Sequence, residues 1–246
     1  MPIVNEKSRG YYKIKGAADA FNFDFRGKTV LDIGSSTGGF TKYVLDAGAK
    51  KVIAIEKGTN QMMSPLRFDP RIDLREKTDI FDYKPKAGAA DNIFFKDNLR
   101  LDRSETYIPA GAEKAARRAD FPGRPAYDVE DGLAGPEKDM SDRTPAFDVI
   151  LADVSFLSLT KSLKYAKINL ARSDTDFLVM LKPQFEARPD QLTSGVVKNE
   201  KIRREIIKNF ERWLKQNGFL IVKKRDNELK GKTGNRERFY LLKLAF

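Results

Sequence analysis

The 246-residue sequence contains no cysteine and no histidine. Without cysteine there is neither a disulfide nor thiolate chemistry. Without histidine there is no Ser-His-Asp triad, no Cys-His dyad and no histidine-ligated metal site, so no metal is expected. Any general base must be Lys, Asp, Glu or Tyr. Long apolar runs are missing too, and charges occur within the first seven residues. Neither a membrane span nor a signal peptide is therefore expected, and the cytoplasm is the expected location. Acidic residues are the minority, 35 against 46 basic ones, for a net charge of +11. That surplus favours a polyanionic partner, most simply nucleic acid, although a generally basic surface gives the same count. A hydrophobic content of 41% over this length suits one large α/β domain with a real core.

The chain is organised around Val30-Leu31-Asp32-Ile33-Gly34-Ser35-Ser36-Thr37-Gly38-Gly39-Phe40. Residues 29–33 are a short apolar run with β-branched residues, the pattern of a parallel strand covered on both faces. Gly34, Gly38 and Gly39 allow a sharp turn and close approach to a ligand. Phe40, Val44 and Leu45 then share one helical face, and Gly48 supplies a stop. In open α/β sheets, ligands bind at such a strand end. The turn is neither a good dinucleotide fingerprint, because Ser36 takes the middle glycine's place, nor a nucleotide-phosphate loop, because no Gly-Lys-Ser/Thr follows. Asp-x-Gly-x-x-x-Gly-Gly-Phe resembles the first motif of S-adenosylmethionine-dependent methyltransferases. A plain strand–turn–helix with packing glycines is the competing reading.

Further along, residues 9–23 suggest a short helix laid on the sheet. Residues 51–56 form a second strand ending in Glu56, roughly the ~20 residues beyond the first glycines at which a ribose-binding carboxylate is expected. A helix over 61–68 and a brief third strand over 72–76 follow. Residues 84–146 carry six prolines and no sustained period. They read as a polar insertion, lid or disordered segment, with a small helix at 112–119 and local packing at 93–95. Strands are expected at 147–153 and 177–181, with a helix at 159–170 between them. Asn199 caps a helix whose stripe is Ile202, Ile206, Ile207, Phe210, Trp213 and Leu214, and Gly218 ends it. The final strands, 219–223 and 239–244, form an antiparallel hairpin. Strands alternating with helices make a doubly wound sheet.

Arg9-Gly10-Tyr11-Tyr12-Lys13, Asp32-Ile33-Gly34 with Thr37-Gly38-Gly39-Phe40, Asp153-Val154-Ser155-Phe156, Lys182-Pro183-Gln184-Phe185-Glu186 and Gly234-Asn235-Arg236-Glu237 occur in this order. Together they resemble the TlyA, or haemolysin A, group of FtsJ-like methyltransferases over nearly everything except the insertion. The resemblance implies a Rossmann-like, doubly wound seven-stranded methyltransferase sheet with an antiparallel last strand. It implies methyl transfer from S-adenosylmethionine to a ribose 2′-hydroxyl of ribosomal RNA, with ribosomal RNA or a ribosomal subunit as partner. It further implies a Lys-Asp-Lys-Glu tetrad, matched by Lys13, Asp153, Lys182 and Glu237. For the cofactor, Asp32 and the turn bearing Gly34, Gly38, Gly39 and Phe40 are assigned to the methionine end. Glu56 is assigned to the ribose hydroxyls and Asp79 to the adenine amino group. Two departures from the group are expected: a chain that begins at the catalytic domain without the usual small N-terminal RNA-binding module, and an unusually long insertion at 84–146. One methyltransferase domain over 1–246 is expected, with RNA affinity weakened by the missing module.

A lysine removes a proton only as the free amine; burial and a second ammonium favour that form, and carboxylates oppose it. Each tetrad residue also has a plainer reading: Lys13 on a helix surface, Asp153 as a turn cap, Lys182 reaching water at a strand end, Glu237 pairing with Arg236 or Arg238. Arg9, Lys15, Lys42, Arg188, Lys198 and Arg236 are candidates for phosphate contacts. The main competing function is a non-catalytic RNA-binding or ribosome-assembly protein on a methyltransferase scaffold. A membrane-lysing protein lacks the amphipathic basic helix it needs, and a small-molecule methyltransferase does not need the basic surplus.

Overall fold

The apolar strand residues alternate between two cores. Val30, Val52, Ala54, Val149, Leu151, Leu178 and Met180 face one core, and Leu31, Ile33, Ile53, Ile55, Ile150, Phe177 and Val179 face the other. Successive side chains of a strand point to opposite faces, so continuous apolar runs demand cover on both sides. The computed structural model supplies it, and describes residues 7–85, 147–155, 157–229, 231 and 234–245.

The strands are β1 (Thr29–Ile33), β2 (Lys51–Ile55), β3 (Ile72–Arg75), β4 (Val149–Ala152), β5 (Asp176–Leu181), β6 (Phe219–Asp226) and β7 (Arg238–Leu244). They form one seven-stranded sheet in the order β3-β2-β1-β4-β5-β7-β6. The first five run parallel, and β7 is antiparallel to both β5 and β6. This is the expected doubly wound sheet with an antiparallel last strand. The helices are α1 (Arg9–Phe21), α2 (Gly39–Asp46), α3 (Leu159–Asn169), the short α4 (Pro183–Glu186) and α5 (Glu200–Gln216). Ile14, Ala17 and Phe21 of α1, with Phe40 and Val44 of α2, close one face. Leu159 and Leu163 of α3, with Ile207, Phe210 and Leu214 of α5, close the other.

Local chemistry sets the helix ends. The Ser8 hydroxyl accepts from Tyr11 N–H at the start of α1, and Asn199 Oδ1 accepts from Lys201 and Ile202 N–H at the start of α5. The inward stripe of α5 holds Arg203 among its buried residues, while Ile202 and Trp213 are only half-buried. Arg203 reaches Asp226 at 2.8 Å and the Arg236 carbonyl at 3.3 Å, so its charge is answered where β6 and β7 meet.

The helix expected over 61–68 is absent; only a 3₁₀ turn, Leu66–Phe68, forms there. Pro65 has no N–H to donate, and it turns the residue before it away from helical angles. The first strand of the final hairpin, β6, runs on to Asp226, past its expected end at 223. The features expected at 93–95 and 112–119, and all of the insertion beyond residue 85, lie outside the described residues.

Candidate active site

Strand order reverses between β1 and β4, which places a crevice at their carboxyl ends. Ile33 pairs with Ala152, so Gly34 and Asp153 leave the sheet side by side, and Asp153 N–H donates to Ile33 O at 3.1 Å. Gly34 has φ +81°, and a Cβ on it would stand 3.1 Å from the Asp153 carbonyl oxygen. Both the left-handed angle and the close backbone require glycine here.

The same alternation that builds the cores aims the charged residues. Asp32 follows Val30, Asp153 follows Leu151, Lys182 follows Met180, and Glu237 precedes Phe239, each by two positions. Those apolar neighbours all belong to the core beneath α1 and α2. The pairing of Leu181 with Arg238 sets Lys182 opposite Glu237 at the next position. Lys13, on α1, arrives over the same face.

The four tetrad residues form two ion pairs. Lys13 Nζ is 2.5 Å from Glu237 Oε2, with side chains 11% and 3% exposed. Lys182 Nζ is 2.6 Å from Asp153 Oδ1, with side chains 11% and 22% exposed. The second contact is a close charge approach off the line of a hydrogen bond; the Lys182 ammonium donates instead to Ser155 Oγ at 2.8 Å and to the Asp153 carbonyl at 3.5 Å. Glu237 also accepts from Asn227 Nδ2 at 3.3 Å. Paired in this way, four charges can stay partly buried, since each has an opposite charge within reach. Such a cluster can orient a hydroxyl group and receive its proton.

The residues assigned to a cofactor divide. Gly34 lies at the crevice. Glu56 ends β2 with both oxygens held by backbone, Oε2 by Ser36 N–H at 2.8 Å and Oε1 by Gly58 N–H at 2.7 Å. A carboxylate anchored in this way keeps lone pairs for ligand hydroxyls. Asp79 caps its own turn, accepting from Phe81 N–H at 3.2 Å, and meets Lys57 at 3.0 Å. Gly38 has φ +85°, and a Cβ there would be 2.5 Å from the Leu66 side chain. Gly39 serves helix packing: a Cβ would lie 2.4 Å from Ser8 Oγ and 2.9 Å from the Gly10 Cα. The Phe40 ring is buried and stacks with Phe239 at 6.0 Å, in the core.

Asp32 is wholly buried, so it presents no surface to a ligand. Its Oδ2 accepts from Thr41 Oγ1 at 2.6 Å, and its Oδ1 has no partner. Burial first, then the nearby charges of Asp153 and Glu56, push its carboxyl up to about 7, against the pull of the Thr41 hydroxyl.

Several of the expected phosphate-binding cations are already paired: Lys15 with Asp19, Lys42 with Asp46, Arg188 with Asp190, and Arg236 with Glu200. Sequence reasoning passed over Ser155, Asn227 and Glu186. Ser155 stands two residues after Asp153 in a motif already singled out. Glu186 accepts from Ser158 Oγ and Leu159 N–H at the start of α3, and burial raises its carboxyl. Its place at the end of Lys182-Pro183-Gln184-Phe185-Glu186 was visible, but its distant partner was not. Asn227 carried no signal, because its tie to Glu237 exists only once β6 and β7 pair.

A parallel sheet whose seventh strand slips antiparallel between the fifth and sixth is that of the Rossmann-like methyltransferases, and here the charged cluster stands at its switch point. Residues 7–244 match the FtsJ-like methyltransferase family, to which the chain belongs. The chain is 29% identical over 237 residues to the 16S/23S rRNA (cytidine-2′-O)-methyltransferase TlyA of Mycobacterium tuberculosis, covering 96% of this chain and 68% of that one. It is 30% identical over 234 residues to Hemolysin A of Brachyspira hyodysenteriae, covering 94% and 73%. The crystal structure of a candidate hemolysin from Lactococcus lactis superposes with a TM-score of 0.69 at 27% identity, over 98% of this chain and 89% of that one. The resemblance to the TlyA group holds. Among the described residues, no helix is long and apolar enough to cross a membrane, and no acidic cluster could hold a metal ion.

Proposed function

We propose that this protein transfers a methyl group from S-adenosylmethionine to a ribose 2′-hydroxyl of ribosomal RNA. The observation that carries the reading is the pair of ion pairs, Lys13–Glu237 and Lys182–Asp153, beside the Gly34 turn. The kinship with a ribosomal RNA cytidine-2′-O-methyltransferase supports the substrate class, and the net charge of +11 suits a polyanion. The cofactor supplies an electrophilic methyl on a sulfonium.

The chain's own residues do the rest. Glu56, fixed by two backbone N–H groups, accepts hydrogen bonds from the cofactor's ribose hydroxyls. Gly34 leaves the crevice open for the methionine end, Asp153 and Ser155 hold the Lys182 amine, and Lys13 with Glu237 forms the opposite wall. Lys182, once deprotonated to the free amine, would take the hydroxyl proton as that oxygen received the methyl the cofactor supplies. Holding oxygen, methyl and sulfur in line is the larger share of the catalysis, and proton removal the smaller.

The test is direct. Ribosomal subunits that lack the modification are incubated with the protein and tritiated cofactor, and 2′-O-methylated positions are mapped by their resistance to alkaline cleavage. A discrete, protein-dependent position is expected. Cofactor binding with no methyl transfer to either subunit would leave a non-catalytic RNA-binding protein as the better account.

A further inference from the structure

A cavity of about 440 Å³ opens between α1 and the end of β6, lined by Arg9, Tyr12, Gly16, Arg225, Leu229 and Phe239. Its lining residues neighbour both members of the Lys13–Glu237 pair. Arg9, Tyr12 and Gly16 follow one another at spacings of three and four along α1, and Lys13, four residues from Arg9 and three from Gly16, borders that stripe. Across from them, Asn227 lines the cavity and donates to Glu237, and Phe239 follows Glu237 by two positions on β7.

The wall combines an exposed aromatic with two guanidinium groups and the Glu228 carboxylate, which pairs with Arg225. Tyr12 is 50% and Leu229 42% exposed, so both offer apolar surface at the cavity. Arg225 is held at the rim by the Gly16 carbonyl at 3.1 Å and by Glu228. These contacts use two of its five donors. A flat ring beside fixed positive charge is how proteins take a single-stranded nucleotide, by stacking on the base and neutralising the phosphate.

Gly16 is the second, independent mark. Glycine is a poor residue for a helix interior, and Gly16 occupies one. A Cβ built on it would meet nothing within 4 Å, so no neighbour among the described residues requires its absence. What the missing side chain does is keep the cavity floor open.

We infer that this groove seats the RNA nucleotide next to the one that is methylated, with its base against Tyr12 and its phosphate at Arg9 and Arg225. The inference rests on the RNA-methyltransferase reading above and adds the subsite that holds the strand beside the tetrad.

Gly16→Leu fills the floor with a better helix former, and Tyr12→Ala removes the ring. Each is compared with the unsubstituted protein for binding a fluorescein-labelled single-stranded oligocytidylate by anisotropy, for KM and kcat on ribosomal subunits, for cofactor affinity by calorimetry, and for Tm. Oligonucleotide Kd and KM should rise about tenfold, the loss of roughly one stacked base, while kcat falls less than KM rises and cofactor affinity holds. Tm of Gly16→Leu should stay level or increase. Unchanged Kd and KM in a stably folded Gly16→Leu protein overturns the inference. So does a parallel loss of cofactor affinity, because the groove then serves only the fold. If the unsubstituted protein methylates nothing, yet both substitutions weaken oligonucleotide binding, the proposed activity fails and the groove stands.

Discussion

Lys13 and Glu237, from opposite ends of the chain, meet at 2.5 Å with Glu237 almost wholly buried. Helix α1 brings the lysine and strand β7 the carboxylate, so the site exists only when the first and last elements of the domain are both docked. Removing one partner of a buried pair strands the other's charge, at a cost of roughly 3 to 5 kcal/mol. Lys13 keeps some contact with water, so Lys13→Met should cost about 3 kcal/mol, read by urea unfolding. The double variant Lys13→Met/Glu237→Leu should recover most of that stability and none of the methyl transfer. Full additivity of the two single losses would show that the pair is not coupled.

Lys182 is expected to take the proton. Lys182→Ala should abolish transfer with cofactor affinity nearly intact, because the amine acts on the hydroxyl. Lys182→Arg should be equally inactive, since a guanidinium does not give up its proton at useful pH. Retention of most activity by Lys182→Arg would move the base to Lys13 or Asp153.

Asp32 should make stability depend on pH. Its carboxyl stands at about 7 in the folded chain against 3.8 ordinarily, so folding favours the protonated form. The penalty is absent below about pH 4, grows as pH rises, and is complete above about pH 7. Asp32→Asn removes a titrating group from that site. Denaturant midpoints of the unsubstituted protein should therefore fall relative to the variant between those limits. Parallel curves for the two proteins refute this.

Glu56→Ala should weaken cofactor binding at least tenfold, by deleting the ribose acceptor and by releasing Ser36 and Gly58 N–H from their carboxylate. Glu56→Gln keeps one acceptor oxygen and should fall between the two. Calorimetry that finds Glu56→Ala unchanged removes the residue from the site.

The sheet was legible because a parallel strand buried on both faces leaves a short, continuous apolar run bounded by glycine or charge, as at Thr29–Ile33 and Asp176–Leu181. The α5 cap was legible because Asn199 acts within its own turn. The 61–68 segment misled because its composition suits a helix while Pro65 decides against one. The glycine turn was half legible. Spacing marked Gly34, Gly38 and Gly39 alike, yet Gly34 opens onto the crevice and Gly39 lets α1 press on α2.

By itself, then, the sequence determined what is local or repetitive: strands, caps, the sharp turn at Gly34, and the absence of thiol and imidazole chemistry. Its ordered motifs named the four residues Lys13, Asp153, Lys182 and Glu237. Tertiary structure decided which of them pair, because pairing depends on register across strands distant in sequence. With Leu181 against Arg238 and Ile33 against Ala152, the period of two turns every one of these strand-end charges toward the face that α1 covers. A slip of one residue in β7 would turn Glu237 to the opposite face, away from Lys13. No pattern within β7 alone fixes that register; the packing of Phe239 and Leu241 beneath α1 and α2 does.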